Sequence, residues 1–260
     1  MSKPSPFYGS EKERLELIAR RDAFRFSETD PTPRLIVVVA GREGSGKSHL
    51  ACTMSQSGPV YVIDTEYRAQ IVTRKFQNVK FAVVKNFTEL VVAVKAILKH
   101  HPPGTIVIDS GSDLQTFAEI EYLERTRMEK VYPVFNWADV WAMCNALIDE
   151  IRLDQRFNLV VTARVKEEYV GDKATGQLVP RLYSTLPYKA DLVLQFANDK
   201  ERRLSVTKNG FTGETAVITG GMSLPGIIQQ LSRVAPVTTP QVSPVRKPIN
   251  NKPSTLPVAA

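Results

Sequence analysis

The sequence Leu35-Ile-Val-Val-Val-Ala40 runs directly into Gly41-Arg-Glu-Gly-Ser-Gly-Lys-Ser48, and this stretch decides the fold. Its first part is aliphatic and rich in β-branched residues, which is typical of a buried strand. The second part matches G-x-x-x-x-G-K-[ST] at every fixed position. A stretch that favours a helix begins at Lys47. The motif therefore has the strand–loop–helix setting that a phosphate-binding loop requires.

This loop predicts a nucleotide-binding site whose parts have separate tasks. The glycines let the backbone turn so that several N–H groups point at phosphate oxygens. Lys47 is expected to reach the β- and γ-phosphates, and the Ser48 hydroxyl is expected to bind Mg²⁺. The predicted nucleotide contacts are Gly41, Arg42, Glu43, Gly44, Ser45, Gly46, Lys47, Ser48 and His49.

Two other apolar runs end in carboxylates. Val60–Asp64 is followed closely by Glu66, and Thr105–Asp109 ends in an aspartate. Ligands of open α/β sheets lie at the carboxyl ends of the strands, so these carboxylates should flank the phosphates. Asp109 is predicted to hold the water shell of Mg²⁺. Glu66 is predicted to act as the general base that polarises the attacking water.

Each of these carboxylates also has a purely structural interpretation. Asp109 could cap the helix that follows it, although Ser110, Ser112 and Asp113 are rival caps. Glu66 could form a surface ion pair with one of the arginines that follow it. The candidate partners are Arg68 and Arg74.

Short apolar runs that alternate with helix-period segments predict an α/β domain. We expect a mainly parallel central sheet flanked by helices, with antiparallel strands near the C-terminus. The predicted strands are Leu35–Ala40, Val60–Asp64, Phe81–Lys85, Thr105–Asp109, Leu159–Ala163, Leu192–Ala197, Arg203–Lys208 and Glu214–Thr219. The predicted helices are one that begins at Lys47, Thr88–His100 with Thr88 as a possible cap, Ser112–Arg127, Trp137–Arg152 and Ser223–Arg233. The residues from Arg164 to Pro187 predict a long polar connection, a kind of loop that is often functional.

The two ends of the chain differ from its body. Residues 1–34 predict a helical appendage, which starts at the capping box Ser10–Glu13 and reaches about Phe26. Its candidate buried positions are Leu15, Ile18 and Phe24. We expect it to pack on the body, and a contact between protomers is the alternative. Residues 234–260 are rich in proline and lack acidic residues, so they predict a disordered tail.

The composition excludes several classes of protein. In a chain of 260 residues, 43% hydrophobic and 23% charged residues are typical of a globular protein. The aliphatic runs are much shorter than the roughly 18 residues of a membrane helix, and the N-terminus lacks the apolar core of a signal peptide. Cys52 and Cys144 predict neither a disulfide framework nor a metal cluster. We therefore expect a cytoplasmic protein without membrane contact, and its net charge of +7 permits nucleic-acid binding.

The order of these motifs resembles that of the RecA-like ATPases, from about Leu35 to Gly221. The likeness rests on the phosphate loop, on Asp64-Thr-Glu66 after it, and on a later strand that ends in Val107-Ile-Asp-Ser110. Within that group the chain is most similar to short phage-encoded nucleotide-binding proteins associated with single-strand annealing and recombination. The segments that carry this finer likeness are Val179-Pro-Arg181, Leu186-Pro-Tyr188 and Ala190-Asp-Leu192.

The resemblance implies a RecA-like P-loop ATPase domain over residues 35–233. It implies an enzyme that hydrolyses ATP with Mg²⁺, forms a homo-oligomer and acts on single-stranded DNA in phage recombination, repair or replication, in the host cytoplasm. It makes Glu66 the catalytic base and Asp109 the Mg²⁺-associated carboxylate. Lys47 would stabilise the charge on the transferred phosphate.

The resemblance also assigns roles to residues farther along the chain. Thr162 and Arg164 stand where the family has a γ-phosphate sensor, which is usually Asn or Gln. Lys208 stands where RecA-like rings and filaments supply a basic residue to the nucleotide of the neighbouring protomer, although Gly210 replaces the arginine of the familiar Lys-x-Arg. The DNA-facing loops would contribute Arg125, Arg127, Lys130, Lys166, Lys173 and Arg181, interleaved with Tyr169 and Tyr183.

Two other functions fit the same residues. A small-molecule kinase would use Arg164–Arg181 as a lid over the phosphates, although its acidic residues and the placement of Asp64 and Glu66 favour hydrolysis. A non-catalytic, nucleotide-gated protein would use the basic tail over 234–260 to recruit a recombination partner, and a plain linker is the alternative for that tail. No motif distinguishes ATP from GTP.

Overall fold

The strand that precedes the phosphate loop lies inside an eight-stranded sheet. The computed structural model describes residues 34–130, 136–197, 203–219 and 221–232. The strands are β1 (Ile36–Ala40), β2 (Val60–Asp64), β3 (Val79–Val83), β4 (Gly104–Asp109), β5 (Phe157–Ala163), β6 (Val165–Val170), β7 (Lys173–Pro180), β8 (Leu192–Phe196), β9 (Leu204–Asn209) and β10 (Ala216–Ile218). The helices are α1 (Lys47–Cys52), α2 (Ala69–Thr73), α3 (Phe87–His100), α4 (Leu114–Thr126), α5 (Asn136–Asp154), α6 (Leu186–Lys189) and α7 (Leu224–Leu231), and a 3₁₀ helix (Thr53–Gln56) extends α1.

The strand order of the main sheet is β10-β9-β8-β1-β5-β4-β2-β3. The strands from β3 to β8 along this order run parallel. Strands β9 and β10 are antiparallel and extend the sheet beyond β8. Strands β6 and β7 form a separate antiparallel hairpin. Because the parallel strands share one direction, their carboxyl ends meet at one edge, called here the carboxyl edge and marked by Ala40, Asp64, Asp109 and Ala163. The opposite edge is called the amino edge.

Helices cover both faces of the sheet, which is why β1 is a continuous apolar run. Ile36, Val38 and Ala40 face one core cluster, which includes buried side chains of α3, α4 and α5. Val37 and Val39 face the other cluster, with side chains of α1, α2 and α7. The first cluster also contains one face of α5: the buried members are Val140, Cys144, Ile148 and Ile151, with Trp137 and Trp141 packed against them.

The predicted fold class is therefore confirmed. Each predicted strand is present, Val60–Asp64 with its exact bounds and the others within two residues at either end. The helix predicted to use Thr88 as a cap instead begins after Asn86, whose side chain accepts a hydrogen bond from the Glu89 N–H at 2.8 Å. The Glu89 carboxylate in turn accepts from the N–H of Lys85, the residue before the cap, so both side chains bond to backbone N–H groups at the start of α3.

The prediction of a polar connection from Arg164 to Pro187 was wrong for most of its length. Strands β6 and β7 occupy residues 165–180 and meet at a turn in which Gly171 has a φ of 62°. Most residues of both strands are exposed, so neither strand shows the apolar alternation by which a half-buried strand is recognised. The hairpin stands at the carboxyl edge because it directly follows β5.

The remaining predictions about the chain ends concern residues that the structure does not describe. The helix predicted near the N-terminus and the tail predicted over 234–260 both lie outside the described ranges. Within those ranges, every helix is too short or too polar to span a bilayer.

Candidate active site

The phosphate loop crosses the carboxyl edge between β1 and α1. The Gly41 N–H donates to the Ala163 carbonyl at 3.1 Å, which ties the start of the loop to β5. Gly44 and Gly46 have φ values of 74° and 103°, a conformation that glycine adopts without steric cost. The loop thus takes the turn that the motif requires, and α1 begins at Lys47 as predicted.

The Lys47 ammonium lies in the mouth of this loop, where it donates to the Arg42 carbonyl at 2.9 Å. Partial burial lowers the pKa of Lys47, and the negative charges of Asp109 and Glu66 oppose that shift. An ammonium group between a glycine-rich loop and two carboxylates is suited to a phosphate that arrives with a divalent cation.

Asp109 lies at the end of β4 and is only 8% exposed. The Thr162 hydroxyl donates to its Oδ1, and the Ser48 side chain hydrogen-bonds to the same carboxylate. Burial raises the pKa of Asp109, while these two hydrogen bonds favour the ionised form. The structure therefore brings together Ser48 and Asp109, the two predicted Mg²⁺ partners. Asp109 does not cap α4, whose N-cap position is Asp113.

Ser48 and Asp109 supply the oxygen donors that Mg²⁺ prefers. This ion is usually held by one or two carboxylates together with substrate phosphates rather than by a complete protein cage. Among the residues that the structure describes, no group of three or more His, Cys, Asp or Glu side chains could hold a metal alone. The donor set thus fits a metal that is shared with a nucleotide.

Glu66 is positioned by the turn after β2. The buried Asp64 carboxylate accepts from the Glu66 N–H at 2.9 Å and from the Ala69 N–H at 2.7 Å. Asp64 therefore shapes the turn, and the Glu66 side chain lines the cavity beside the loop.

Glu66 forms an ion pair, but its partner is neither Arg68 nor Arg74. Arg164 approaches Glu66 Oε1 with Nη2 at 2.7 Å and Nε at 3.0 Å. Arg68 instead pairs with Glu43 of the phosphate loop. The sequence did not indicate Arg164 as the partner, since the two residues are 98 positions apart and meet only because β5 and β2 end at the same edge.

A second carboxylate lies within reach of the same guanidinium group. Arg164 Nη2 is 3.8 Å from Asp113 Oδ1, and the Arg164 N–H donates to Ser112 Oγ at 2.9 Å. The other Asp113 oxygen accepts from Thr65 Oγ1 at 2.8 Å. This network was missed because the polar residues after β4 were interpreted as caps for α4. That Asp113 makes no side-chain cap bond is visible only in three dimensions.

These side chains share one cavity of about 760 Å³ at the carboxyl edge. Among the residues predicted from the sequence, the cavity lining includes Glu43, Gly44, Lys47, Ser48, Asp64, Glu66, Asp109 and Arg164. Thr162 reaches the site through its bond to Asp109. The proposed base, metal ligands and phosphate loop are therefore within one site.

A second groove of about 420 Å³ lies on the other side of the loop, along the outer face of α1. It begins at Ser45 and Gly46, and its walls include Phe76, Phe196 and Met222. The ring of His49 lies 4.9 Å from that of Phe76, between centroids. The sequence predicted His49 as a nucleotide contact. It did not indicate the aromatic side chains in the walls of the groove, because these come from distant segments of the chain.

The remaining predicted residues lie away from the cavity. Lys208 pairs with Val193 near the amino end of β8, and its ammonium donates to the carbonyls of Tyr188 at 2.8 Å and Pro187 at 3.2 Å. Within one protomer Lys208 thus does not line the cavity. The predicted DNA-facing residues are exposed at the end of α4 or on and beside the hairpin: Arg125, Arg127, Lys130, Lys166, Lys173 and Arg181.

We predict that Asp109→Asn stabilises the chain increasingly as the pH rises. The raised pKa of Asp109 means that its contribution to the free energy of unfolding is fully present below the ordinary value of about 3.9 and is lost as pH rises through the folded-state pKa. Asparagine does not ionise, so the free energy of unfolding of the variant relative to wild type should rise by up to about 1.4 kcal/mol per pH unit between those two pKa values. Denaturant unfolding from pH 4 to pH 8 measures this.

Asp154→Asn provides a control of opposite sign. The hydrogen bond from Arg156 lowers the pKa of Asp154, so the ionised group stabilises the fold above its ordinary pKa. This variant should be less stable than wild type at neutral pH, by an amount that stays constant down to about pH 3.9 and shrinks only below it, so these unfolding curves are extended to about pH 2. If the free energies of unfolding of Asp109→Asn and wild type changed in parallel with pH, this result would show that burial does not raise the pKa of Asp109.

Comparison with known proteins places the chain in a family. No curated protein matches the sequence. A family model described as an AAA domain matches residues 34–220, which include the phosphate loop and all strands of the central sheet. Proteins with this domain bind nucleotides and are generally ATPases. Since the match covers most of the chain, the chain belongs to the AAA domain family of P-loop nucleotide-binding proteins.

Proposed function

We propose that the chain is a Mg²⁺-dependent ATPase of the RecA-like type that acts on single-stranded DNA. The observation that supports hydrolysis best is the contact between Ser48 and Asp109, with Lys47 and Glu66 lining the same cavity. A loop that only bound phosphate would not need a buried carboxylate on the metal-binding hydroxyl or a second carboxylate beside it. Both are parts of phosphoryl-transfer sites.

In this proposal each side chain has one task. Backbone N–H groups of the loop and the Lys47 ammonium bind the β- and γ-phosphates. Ser48 and Asp109 would hold Mg²⁺, which would supply positive charge against the phosphate oxygens. Glu66 accepts the proton of the water that attacks the γ-phosphorus, the bond to the β–γ bridging oxygen breaks, and ADP and phosphate are the products.

The ion pair with Arg164 bears on this mechanism. While both guanidinium contacts to Glu66 are made, the carboxylate oxygen that they use is not available to a water proton. A γ-phosphate in the cavity offers Arg164 a competing anion. We therefore assign γ-phosphate sensing to Arg164, and we assign Thr162 to the orientation of Asp109, since its hydroxyl is bonded there.

The groove along α1 is a suitable place for the nucleobase. It starts at the loop residues Ser45 and Gly46, and Phe196 and Phe76 provide apolar walls on which a purine could pack. The polar side chains in its lining are Ser45, His49, Thr53, Gln56 and Ser223. Thr53 and Ser223 already bond to backbone groups beside them, so recognition there would depend more on shape than on a hydrogen-bond pattern. We propose weak discrimination between adenine and guanine at this site.

We predict that Glu66→Gln binds Mg²⁺–ATP but loses hydrolysis by about 10²- to 10⁴-fold, because a positioned general base contributes about that much. Steady-state phosphate release and equilibrium ATP binding are measured on the same preparation. Glu214→Gln is the matched control, since Glu214 is an exposed carboxylate that does not line the cavity. It should hydrolyse ATP within a few-fold of wild type. Undiminished hydrolysis by Glu66→Gln would refute the assignment of the base.

We predict that Phe196→Ala weakens binding of ATP and GTP alike, by roughly tenfold, through lost packing of the base. Its affinity for inorganic triphosphate should not change, because this probe has no base. Phe81→Ala is the control, since Phe81 is an exposed phenylalanine on the edge strand β3. An equal loss for nucleotides and triphosphate would remove the base from this groove.

Single-stranded DNA is proposed as the effector because the hairpin stands next to the site. Arg164 lines the cavity, and the next residue, Val165, begins the hairpin. Lys166 and Lys173 are exposed on its two strands, and Tyr169 is 61% exposed beside them. Cations and an aromatic ring on one hairpin can contact phosphates and stack on bases. The resemblance to recombination proteins is the second support.

We predict that Lys166→Glu combined with Lys173→Glu reduces stimulation of ATP hydrolysis by single-stranded DNA at least tenfold, with basal hydrolysis retained. The magnitude of the slope of log affinity for single-stranded DNA against log salt concentration should decrease by about one to two. The control replaces two exposed lysines of α3, Lys95 and Lys99, with glutamate. These residues lie on another part of the surface. If wild-type hydrolysis is indifferent to DNA, the DNA part of the proposal fails and the ATPase part stands.

Homo-oligomer formation, with Lys208 acting on the nucleotide of a neighbouring protomer, belongs to the same proposal. Supply in trans would require the Lys208 ammonium to leave the carbonyls of Pro187 and Tyr188. Sedimentation of the chain with and without Mg²⁺–ATP and DNA tests the assembly.

A further inference from the structure

Strand β3 ends the central sheet, and its outer side has no partner strand among the described residues. On its inner side it pairs with β2: the Val60 N–H donates to the Asn78 carbonyl at 2.9 Å, and the Val84 N–H donates to the Asp64 carbonyl at 3.0 Å. Backbone groups of successive residues in a strand point to opposite sides. The even-numbered residues from 78 to 84 therefore face β2, and the odd-numbered residues between them face outward.

Val79, Phe81 and Val83 thus direct their backbone N–H and C=O groups away from the sheet. Within the part of the chain that the structure describes, no group bonds to them. In strand geometry such pairs of donor and acceptor repeat about every 6.8 Å, which is the spacing at which a further strand bonds. A row of this kind is a template for the addition of a strand.

The side chains of β3 differ between the two faces of the sheet. Val79 packs against the core cluster on the α1 side, and Phe81 and Val83 share that face because side chains alternate along a strand. Phe81 is 42% exposed and Val83 is 41% exposed. Lys80 lies on the opposite face and is also exposed. The outer side of β3 thus offers an apolar row on one face and a cation on the other.

The surroundings of β3 are basic. Residues 67–88 include five lysines and arginines and not one aspartate or glutamate. Arg68 pairs with Glu43 of the phosphate loop. The other four are exposed and form no ion pair with another described residue: Arg74, Lys75, Lys80 and Lys85. Lys85 shares a cleft with acidic side chains of α3 and α4, which leaves three cations before and within β3 to attract a negatively charged partner.

We propose that β3 binds an extended acidic segment of a partner protein, which adds to the sheet as a further strand. The segment would alternate apolar and acidic residues. Its apolar side chains would pack beside Phe81 and Val83, and its carboxylates would lie on the side of Lys80. In this mode of recognition the backbone hydrogen bonds provide affinity and the alternating side chains provide specificity.

The same charges disfavour a second copy of this chain at β3. Two β3 strands paired with each other would bring the cations around Lys80 toward those of the copy, and like charges across a strand pair are destabilising. A lysine on an exposed edge strand is one of the features by which sheets avoid pairing with each other. Single-stranded nucleic acid would be attracted by the cations, but it would leave the row of backbone groups unused.

Fluorescence anisotropy of the full-length chain with a labelled peptide tests the proposal. The probe is an eight-residue peptide of alternating glutamate and valine. Its control is a peptide of four glutamates followed by four valines, which has the same composition and charge. The proposal expects the alternating peptide to bind at least tenfold more tightly. Equal affinities would show that charge alone attracts the probe and would overturn the proposal, as would the absence of binding by either peptide.

Two variants test whether the peptide binds at β3. Phe81→Pro removes an outward N–H and the exposed ring but no bond to β2, and proline is tolerated at such positions of edge strands. Lys80→Glu reverses the cation and leaves the backbone unchanged. Each should weaken binding of the alternating peptide at least fivefold, whereas Lys95→Glu on the exposed face of α3 should not. Unchanged affinity in Lys80→Glu would contradict the proposal even if Phe81→Pro fails to fold.

Amide hydrogen exchange locates the bound peptide without a variant. Saturation with the alternating peptide should slow exchange at Phe81 and Val83, whose N–H groups face outward. The amides of Lys80 and Ala82 already face β2, so their exchange should change less. Protection that is absent from 79–83 would show that the peptide binds elsewhere.

The other occupants give different results. A dimer that is detected by sedimentation and is lost in Phe81→Pro would assign the outer side of β3 to a second copy. A thymidine oligonucleotide whose binding is weakened by Lys80→Glu but not by Phe81→Pro would assign it to nucleic acid. Either result would overturn the proposal.

Discussion

The parallel register of four neighbouring strands is the constraint on which the site depends. Ala40 of β1 lies opposite Ala163 of β5, and Asp109 of β4 lies opposite Asp64 of β2. Side chains of a strand alternate between the two faces, so a slip of one residue would turn Asp109 away from Ser48. Burial of both faces prevents such a slip, because it would exchange the two core clusters. The hydrophobic core thereby positions the charged site.

Within that frame the charges at the carboxyl edge are balanced in pairs. Lys47 lies among Asp109 and Glu66, Arg164 contacts Glu66 and approaches Asp113, and Arg68 pairs with Glu43. A bound nucleotide with its metal brings both negative phosphates and a positive ion into this arrangement. We expect the ion pair between Glu66 and Arg164 to break first, because each partner has a different contact to make in the proposed reaction.

The sequence predicted the parts of the fold and site that depend on short-range patterns. The run Leu35–Ala40 and its glycine-rich loop specified β1, the loop and α1, and aspartates after apolar runs specified Asp64 and Asp109. These signals are local, because buried parallel strands and phosphate loops are recognised within about ten residues. What could not be predicted is the pairing of distant residues, such as Glu66 with Arg164, or Phe196 with Phe76 across the groove along α1.

The hairpin shows a second limit of sequence patterns. Strands β6 and β7 are exposed on most positions, so burial left no alternation in residues 165–180. Their pairing comes from backbone hydrogen bonds and a glycine turn rather than from a hydrophobic face.

The central claim is that the carboxyl edge binds a nucleotide and Mg²⁺ for hydrolysis. A crystal structure of the chain with Mg²⁺ and a non-hydrolysable ATP analogue tests it most directly. The account predicts the β- and γ-phosphates on Lys47, the metal at Ser48 and Asp109, and Glu66 facing the γ-phosphorus. Phosphates bound elsewhere, or a metal that contacts neither Ser48 nor the waters held by Asp109, would contradict it.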